Sequence, residues 1–192
     1  MKILITAFGP FGQFDNNPSE RLLKELQLRS LEEKLGIQVE WEVLPVSFNA
    51  IDDYLGQLNP EFDLIIHMGV ATNESMLRFE VVGRNTKHGT DNAGQTYAGV
   101  EIVAGENDLA TSFPAPVLQE TIGQHPDSAR ISEDAGDYLC NYVYFKSLYD
   151  FRMSRPVLFV HVADVDNQPN APSLSQQADI VQSLITNFIA SV

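Results

Sequence analysis

Two residues of this chain have the side chains of a nucleophile and a base. Cys140 is the only cysteine, and it follows Gly136 within what is predicted to be the first turn of a helix. A helix N-terminus carries partial positive charge, which lowers the pKa of a thiol. His161 lies in the apolar run 157–162, typical of a buried strand. A lone cysteine with a distant histidine is a candidate nucleophile and general base, although both residues can also be structural.

A third group is needed to orient the base, and Glu80 is the first candidate. It lies in the largely apolar stretch 76–83, where a carboxylate is costly unless it is paired. An imidazolium at His161 would be a suitable partner, whereas the alternative is an exposed glutamate on an edge strand. Asp164 and Asp166 follow His161 closely and compete for the same role. Backbone N–H groups at the start of the helix that carries the thiol can form an oxyanion hole.

An aromatic turn, residues 8–12, follows the first predicted strand. It combines Gly and Pro with Phe8 and Phe11, whose rings can either cap the core or line a pocket. The turn lacks the Lys-Ser/Thr of a P-loop and the glycine spacing of a dinucleotide-binding fingerprint. The four histidines lack zinc-ligand spacing, and no Gly-x-Ser-x-Gly sequence is present. Phosphate, zinc and serine-nucleophile sites are therefore disfavoured.

Apolar runs and helical periodicity predict alternating strands and helices. The strands are residues 2–7, 39–44, 63–69, 76–84 and 157–162, with a shorter one around Ile131. The helices are residues 18 to about 34, 48–58, 115–124, the Cys140 helix to about residue 151, and 173–191. Asn17 is expected to cap the first helix and Gly36 to stop it, and the second should end near Asn59 and Pro60. Residues 85–112 are expected to be a long irregular excursion.

This alternation predicts an α/β fold with a mainly parallel or mixed sheet. Binding and catalytic sites in such sheets gather at the carboxyl ends of the strands. Phe8, Gly69 and His161 lie at or beyond strand ends, and the start of the Cys140 helix can face the same rim. The predicted elements therefore suffice to bring the candidate nucleophile and base together.

Length and composition fit a single domain over residues 1–192. The net charge of −14, from 12 Lys+Arg and 26 Asp+Glu, argues against nucleic-acid and anionic-membrane partners. The apolar runs are too short for a membrane span, and the first residues enter a strand pattern rather than a signal peptide. We therefore expect a soluble, cytoplasmic protein.

Four segments occur in an order that is typical of one peptidase family. They are residues 6–12 with 17–19, residues 67–69, Glu80 with Asn85, and residues 134–142 followed by 159–162. On these segments the chain resembles the pyroglutamyl-peptidase I family, cysteine peptidases that remove an N-terminal pyroglutamyl residue. The resemblance runs nearly the full length. It implies a three-layer α/β/α sandwich of the phosphorylase/hydrolase-like type.

The resemblance also implies roles for individual residues. A Glu–Cys–His triad falls on Glu80, Cys140 and His161. In the implied substrate pocket, Phe8 and Phe11 would hold the pyroglutamyl ring, and Tyr138 and Leu139 would form another wall. Asn17 would donate a hydrogen bond to the lactam carbonyl, and the Val70 carbonyl would accept one from the lactam N–H. No cofactor is implied, and the thiolate needs reducing conditions. The implied partner is a pyroglutamyl peptide, and a homo-oligomer stays open because relatives occur as monomers and as tetramers.

Departures from the family pattern bear on specificity. Many bacterial members carry an Arg directly after the triad Glu, where this chain has Val81. They carry another Arg in the loop that corresponds to residues 86–92, where this chain has none. Val162 and Ala163 stand where many members have a Pro. Two alternatives therefore stay open: a related thiol amidohydrolase with a different acyl substrate, and an inactive protein that retains the pocket.

Overall fold

The computed structural model describes residues 1–12, 15–58, 61–152 and 154–192. Within these residues ten strands and six helices alternate along the chain. The strands are β1 (Lys2–Phe8), β2 (Gln38–Leu44), β3 (Leu64–Ala71), β4 (Leu77–Glu80), β5 (Val82–Gly83), β6 (Lys87–Thr90), β7 (Thr96–Val100), β8 (Leu109–Ala110), β9 (Ala129–Ser132) and β10 (Val157–Ala163). The helices are α1 (Pro18–Leu28), α2 (Leu31–Leu35), α3 (Phe48–Gln57), α4 (Ala115–Gln124), α5 (Leu139–Phe151) and α6 (Leu174–Ala190).

Six strands form the central sheet, in the order β2-β1-β3-β10-β4-β9. β2, β1, β3 and β10 are parallel, whereas β4 runs antiparallel to β10 and parallel to β9. Every residue of β3 and β10 is buried, as expected for central strands that are covered by helices on both faces. The predicted mainly parallel or mixed sheet is confirmed.

Helices cover both faces of this sheet. α1, α4 and α6 pack on one face through aliphatic side chains that include Leu22, Leu118 and Leu184. α3 and α5 pack on the other face, where Phe48 and Phe145 belong to the same apolar cluster as strand residues. The fold is therefore the expected three-layer α/β/α sandwich.

The region that was predicted as one helix to about Lys34 consists of two helices. α1 ends at Leu28, and Ser30 adopts a left-handed backbone conformation with φ of 52°. Residues three apart on one helix share a face, yet Leu28 is 82% exposed and Leu31 is 0% exposed. The break in the helix therefore redirects the chain so that the Leu31 side chain is buried in the core. Gly36, with φ of 65°, ends α2 as predicted.

The segment that was predicted as one strand over residues 76–84 divides at Val81. β4 belongs to the central sheet, while β5 pairs with β8 outside it. Residues 85–112 contain the β6–β7 hairpin as well as β8, so the prediction of a wholly irregular excursion is wrong. Two buried polar side chains order this segment. Asn85 bonds backbone groups of the loop after β7, and Asp91 accepts from backbone N–H groups of the hairpin turn.

The other predicted strands and helices are confirmed, with changes of one or two residues at their ends. The expected stop of the second predicted helix near Asn59 and Pro60 lies outside the described residues. Among the described helices, none combines the length and the hydropathy of a membrane span.

Candidate active site

A cavity of about 360 Å³ opens at the carboxyl ends of the parallel strands. Phe8 ends β1, Val70 lies near the end of β3 and His161 lies near the end of β10, and all three line the cavity. Cys140, the second residue of α5, lines it as well. The shared rim expected from the sequence therefore exists, and it holds the candidate nucleophile and base.

Cys140 lies against a glycine of the neighbouring strand. A Cβ atom at Gly69 would be 2.6 Å from the Cys140 Sγ and 2.9 Å from the Phe159 Cζ, so the thiol occupies space that glycine alone leaves open. Although part of Cys140 reaches the cavity, burial and then the Glu80 carboxylate raise the pKa of the thiol to about 12, with Arg78 opposing them. The expected lowering of this pKa by the helix start is therefore wrong, because desolvation outweighs it.

The imidazole of His161 is oriented by Glu80. Its Nδ1–H donates to the Glu80 Oε1 at 2.6 Å, and the two residues are 4% and 0% exposed. A neutral ring that donates from Nδ1 keeps Nε2 as an acceptor. Burial lowers the pKa of His161, although the hydrogen bond and charge of Glu80 oppose this. The ring is therefore neutral at pH 7 and can accept a proton.

The two aspartates that competed for this orienting role lie in other contacts. Asp164 accepts from the Asn167 side chain at 2.9 Å, and Asp166 forms an exposed ion pair of 2.7 Å. Of the three carboxylates considered, Glu80 is the one bonded to His161. Its complete burial excludes the alternative of an exposed residue on an edge strand.

Arg78 is a charged residue of the cavity that the sequence analysis did not identify. Its Nε lies 3.0 Å from the Glu80 Oε1, and its Nη2 lies 3.2 Å from the His161 Nδ1. The sequence did contain a signal for Arg78. Residues two apart on a strand share a face of the sheet, so a site that contains Glu80 has Arg78 beside it. Val81, where many family members have Arg, instead packs on the opposite core layer.

All six residues expected to bind substrate line the cavity, namely Phe8, Phe11, Asn17, Val70, Tyr138 and Leu139. The ring centroids of Phe11 and Tyr138 are 6.1 Å apart. Asn17 caps α1 through its Oδ1, which accepts from the Ser19 N–H, and its Nδ2 donates to the Gly9 carbonyl at 3.0 Å. A side-chain amide nitrogen carries two hydrogens, so this bond leaves one for a ligand. Glu74 and residues 134–137 add polar groups that the sequence analysis missed.

The β6–β7 hairpin lies outside the cavity and forms hydrogen bonds to two segments of its wall. The Tyr138 hydroxyl donates to the Thr90 carbonyl at 2.8 Å, and the Asn92 Nδ2 donates to the Pro10 carbonyl at 3.2 Å. Residues 86–92, which depart from the family pattern, are not themselves among the lining residues. This loop therefore affects the cavity through the positions of Tyr138 and the Pro10 turn.

The arrangement can support nucleophilic attack on an acyl carbon. A thiol, a neutral imidazole with an acceptor nitrogen and a buried carboxylate are the three groups that such chemistry needs. Backbone N–H groups at the start of α5 lie beside the thiol and can stabilise an oxyanion. Within the described parts of the chain, no three His, Cys, Asp or Glu side chains are placed to hold a metal ion.

Comparison with known families gives a match along nearly the whole chain. The family described as pyroglutamyl peptidase matches residues 1–190. The chain belongs to the pyroglutamyl peptidase family. The resemblance inferred from the sequence is therefore confirmed, and the protein is a hydrolase of this peptidase family.

Relatives in the pyroglutamyl peptidase family cover most of the chain. The pyrrolidone-carboxylate peptidase of Thermosipho melanesiensis is 31% identical over an alignment of 198 positions, which covers 96% of this chain and 95% of the relative. That of Oceanobacillus iheyensis is 31% identical over an alignment of 162 positions, which covers 82% of this chain and 80% of the relative. The crystal structure of pyrrolidone carboxyl peptidase from Fervidobacterium islandicum AW-1 aligns with a TM-score of 0.84 at 27% identity, over 99% of both chains. The α/β/α fold of this family is therefore shared from end to end.

Proposed function

We propose that the protein removes N-terminal pyroglutamyl residues from peptides, with Cys140 as nucleophile, His161 as general base and acid, and Glu80 orienting His161. The observation that carries this proposal is the 2.6 Å bond from the His161 Nδ1 to the buried Glu80 carboxylate, in a cavity that Cys140 also lines. Membership of the pyroglutamyl peptidase family supports the choice of substrate.

The first half of the reaction forms a thioester. The His161 Nε2 takes the proton of the Cys140 thiol as Sγ attacks the pyroglutamyl carbonyl carbon, and Glu80 stabilises the resulting imidazolium. Because the pKa of the free thiol is raised to about 12, attack depends on this transfer rather than on a preformed thiolate. N–H groups at the start of α5 bind the oxyanion. The tetrahedral intermediate collapses as His161 protonates the departing amine.

The second half hydrolyses the thioester. His161, neutral again, removes a proton from water, whose oxygen attacks the thioester carbonyl carbon. The C–S bond breaks, His161 returns the proton to Sγ, and pyroglutamate leaves. These steps use no cofactor but need Cys140 in its reduced form. The proposal therefore places the enzyme in the reducing environment of the cytoplasm.

The cavity suits a pyroglutamyl end because that group is a flat, uncharged lactam. Phe8, Phe11 and Leu139 offer apolar surface for its ring. The second hydrogen of the Asn17 Nδ2 can bond the lactam carbonyl, and the Val70 carbonyl can accept from the lactam N–H. An ammonium terminus would lose hydration against these apolar walls, which disfavours unblocked peptides. All these groups come from one chain, so the proposal holds for a monomer and for a homo-tetramer.

Release of 7-amino-4-methylcoumarin from its pyroglutamyl amide tests this function. With dithiothreitol present, we expect turnover by the wild type and a loss of more than about 1000-fold in Cys140→Ala. Cys140→Ser is the matched variant, since it keeps the shape of the side chain and should also lose most activity. Absence of turnover by folded, reduced wild type would overturn the proposal.

Amides of the same fluorophore with other acyl groups separate the alternatives. Selective cleavage of the pyroglutamyl amide over the alanyl, prolyl and acetyl amides supports the proposal. Cleavage of another acyl amide, with none of the pyroglutamyl amide, indicates a related thiol amidohydrolase. Tight binding of pyroglutamate without turnover of any amide indicates an inactive protein that retains the pocket.

A further inference from the structure

We propose that Arg78 is a positioning residue of this site, whose guanidinium holds Glu80 against His161 and keeps the imidazole a free base at neutral pH. This inference rests on the proposed function for its catalytic meaning. No part of the family pattern described above places a cation two residues before the triad glutamate. The contacts of Arg78 in this chain carry the argument.

The position of Arg78 follows from the antiparallel pairing of β4 with β10. His161, Arg78 and Arg130 are register partners and form one row across β10, β4 and β9. Cross-strand partners lie on the same face of a sheet, so the Arg78 side chain lies beside the imidazole. Its side chain is 16% exposed. A guanidinium that is this well buried and lines a cavity acts on its neighbours through little intervening water.

Two polar groups approach the same nitrogen of His161. The Glu80 Oε1 lies 2.6 Å from Nδ1, and the Arg78 Nη2 lies 3.2 Å from it. In a neutral ring whose Nε2 is an acceptor, Nδ1 carries the hydrogen. Nδ1 can then donate to the carboxylate, but it cannot also accept from the guanidinium. The shorter, charge-assisted bond to Glu80 therefore sets the tautomer. The Arg78 Nη2 donates to the Asp134 carbonyl at 3.3 Å instead, and its charge faces the ring edge.

Arg78 also restrains the carboxylate. Its Nε lies 3.0 Å from the Glu80 Oε1 as an ion pair rather than a directed hydrogen bond. Its Nη1 donates to the Glu74 Oε1 at 3.3 Å, but Glu74 is shared with Arg130 at 3.1 Å. Because Glu74 pairs with two cations, its single negative charge does not fully neutralise Arg78. The charge of Arg78 therefore remains effective at the Glu80–His161 pair.

The charges that face His161 come from each element packed around it. Glu80 and Arg78 lie on β4, Cys140 lies on α5 and Asp134 precedes that helix, while Glu74, before β4, lines the cavity and pairs with Arg78. Burial lowers the pKa of His161, Glu80 and Asp134 raise it, and Arg78 lowers it. Without Arg78, burial alone would oppose Glu80 and Asp134, so the imidazolium, which cannot act as a base, would persist to higher pH. The same cation opposes the effect of Glu80 on the Cys140 thiol, whose pKa it lowers.

The pH dependence of kcat/KM for the pyroglutamyl amide tests this role. In Arg78→Gln burial still disfavours the imidazolium but the guanidinium no longer does, so the acid limb should move to higher pH by about one unit. At pH values well below the limb, that shift alone lowers kcat/KM about tenfold. Arg78→Lys keeps the charge and should keep the limb near its wild-type position. Arg130→Gln is the matched control, because Arg130 shares Glu74 but does not line the cavity.

An NMR titration of the imidazole signals makes the test independent of turnover. The chain has four histidines, and the signal absent from His161→Gln identifies His161. We expect its midpoint to rise in Arg78→Gln and to stay unchanged in Arg130→Gln. If the wild type fails to cleave pyroglutamyl amides, the proposed function fails, while the titration still decides what Arg78 does to His161.

A folded Arg78→Gln with an unmoved His161 midpoint would overturn the proposal, whether or not activity falls at all pH values. An equal shift of the His161 midpoint in Arg130→Gln would also overturn it, because the shift would then follow from the loss of any nearby positive charge rather than from the contacts of Arg78. If Arg78→Gln does not fold, Arg78→Met fills the same apolar volume without the charge and is measured in its place.

Discussion

Two histidines lie on neighbouring strands of the central sheet, and their surroundings differ. His67 on β3 is the register partner of Phe159, two residues before His161 on β10. Both residues are buried, at 0% and 4% exposure. The two ring nitrogens of His67 bond the hydroxyls of Thr6 and Ser147, each at 2.8 Å. His161 instead bonds a carboxylate through Nδ1 and lines a cavity.

The difference teaches that burial alone does not make a catalytic base. Burial lowers the pKa of both histidines, to about 3 for His67. His67 has both nitrogens committed to neutral partners, so nothing nearby would stabilise its charged form. His161 keeps Nε2 for a proton and has Glu80 to stabilise the imidazolium once it forms. The partners of each ring, more than its position in a strand, separate the structural histidine from the proposed catalytic one.

Replacing His161 by Gln should have the largest effect, since it removes the proposed base. We expect kcat/KM for the pyroglutamyl amide to fall by about 10³- to 10⁴-fold, with little change in thermal stability because the Gln amide can still donate to Glu80. The matched variant His67→Gln should keep most of the wild-type activity. Steady-state kinetics on both variants, with circular dichroism to verify folding, check this. Comparable losses in the two variants would show that the rings do not differ in function.

Glu80→Gln should have a smaller effect, a loss of about 100-fold in kcat/KM. The ring keeps a hydrogen-bond partner but loses the charge that stabilises the imidazolium. Because Glu80 raises the pKa of His161, its neutralisation lowers that pKa and moves the acid limb of the rate profile to lower pH. This direction is opposite to that expected for Arg78→Gln. A limb that stays in place or moves to higher pH would contradict the assignment of Glu80.

His67→Gln should change stability rather than turnover, and the change should depend on pH. Burial holds the pKa of folded His67 at about 3, against about 6.5 in an unfolded chain. Above pH 6.5 the ring is neutral in both states. As the pH falls from about 6.5 towards about 3, the unfolded state alone binds the proton, so stability is lost at about 1.4 kcal/mol per pH unit.

Urea unfolding of the wild type and His67→Gln at pH 7, 6 and 5 measures this contribution. The free energy of unfolding should fall more steeply with decreasing pH in the wild type than in the variant. His161, whose pKa is also lowered, contributes equally to both proteins and cancels in the difference. Equal slopes would mean that His67 titrates normally in the folded state.

The strands and the rim of the site were predictable because their signals are local. The apolar run around His161 and the turn before Cys140 can be recognised from a few adjacent residues. The break at Ser30 could not be predicted, because it reflects the burial of Leu31 against distant parts of the core. The pKa of the Cys140 thiol was predicted in the wrong direction for the same reason, because both its burial and the nearby charge of Glu80 depend on the folded surroundings.

The position of Arg78 could be predicted only in part from the sequence. A period of two puts it on the same face as Glu80, but it does not say which way β4 runs. Antiparallel pairing with β10 makes Arg78 the register partner of His161. The aromatic turn marked Phe8 and Phe11 as possible pocket residues without deciding between a pocket and the core. The pocket roles of Asn17, Val70, Tyr138 and Leu139 were predicted from family resemblance alone.

The β6–β7 hairpin ties the cavity to the order in which the chain folds. Its bonds to Tyr138 and Pro10 join residues 48 and 82 positions apart in the sequence. Such long loops close only after local structure has formed, because closure costs chain entropy before the contacts compensate for it. The central sheet closes loops of comparable length, since β10 pairs with β3 between Phe159 and His67, so the sheet and the cavity walls both form after local structure. Catalytic competence therefore requires this long-range closure and cannot precede assembly of the sheet.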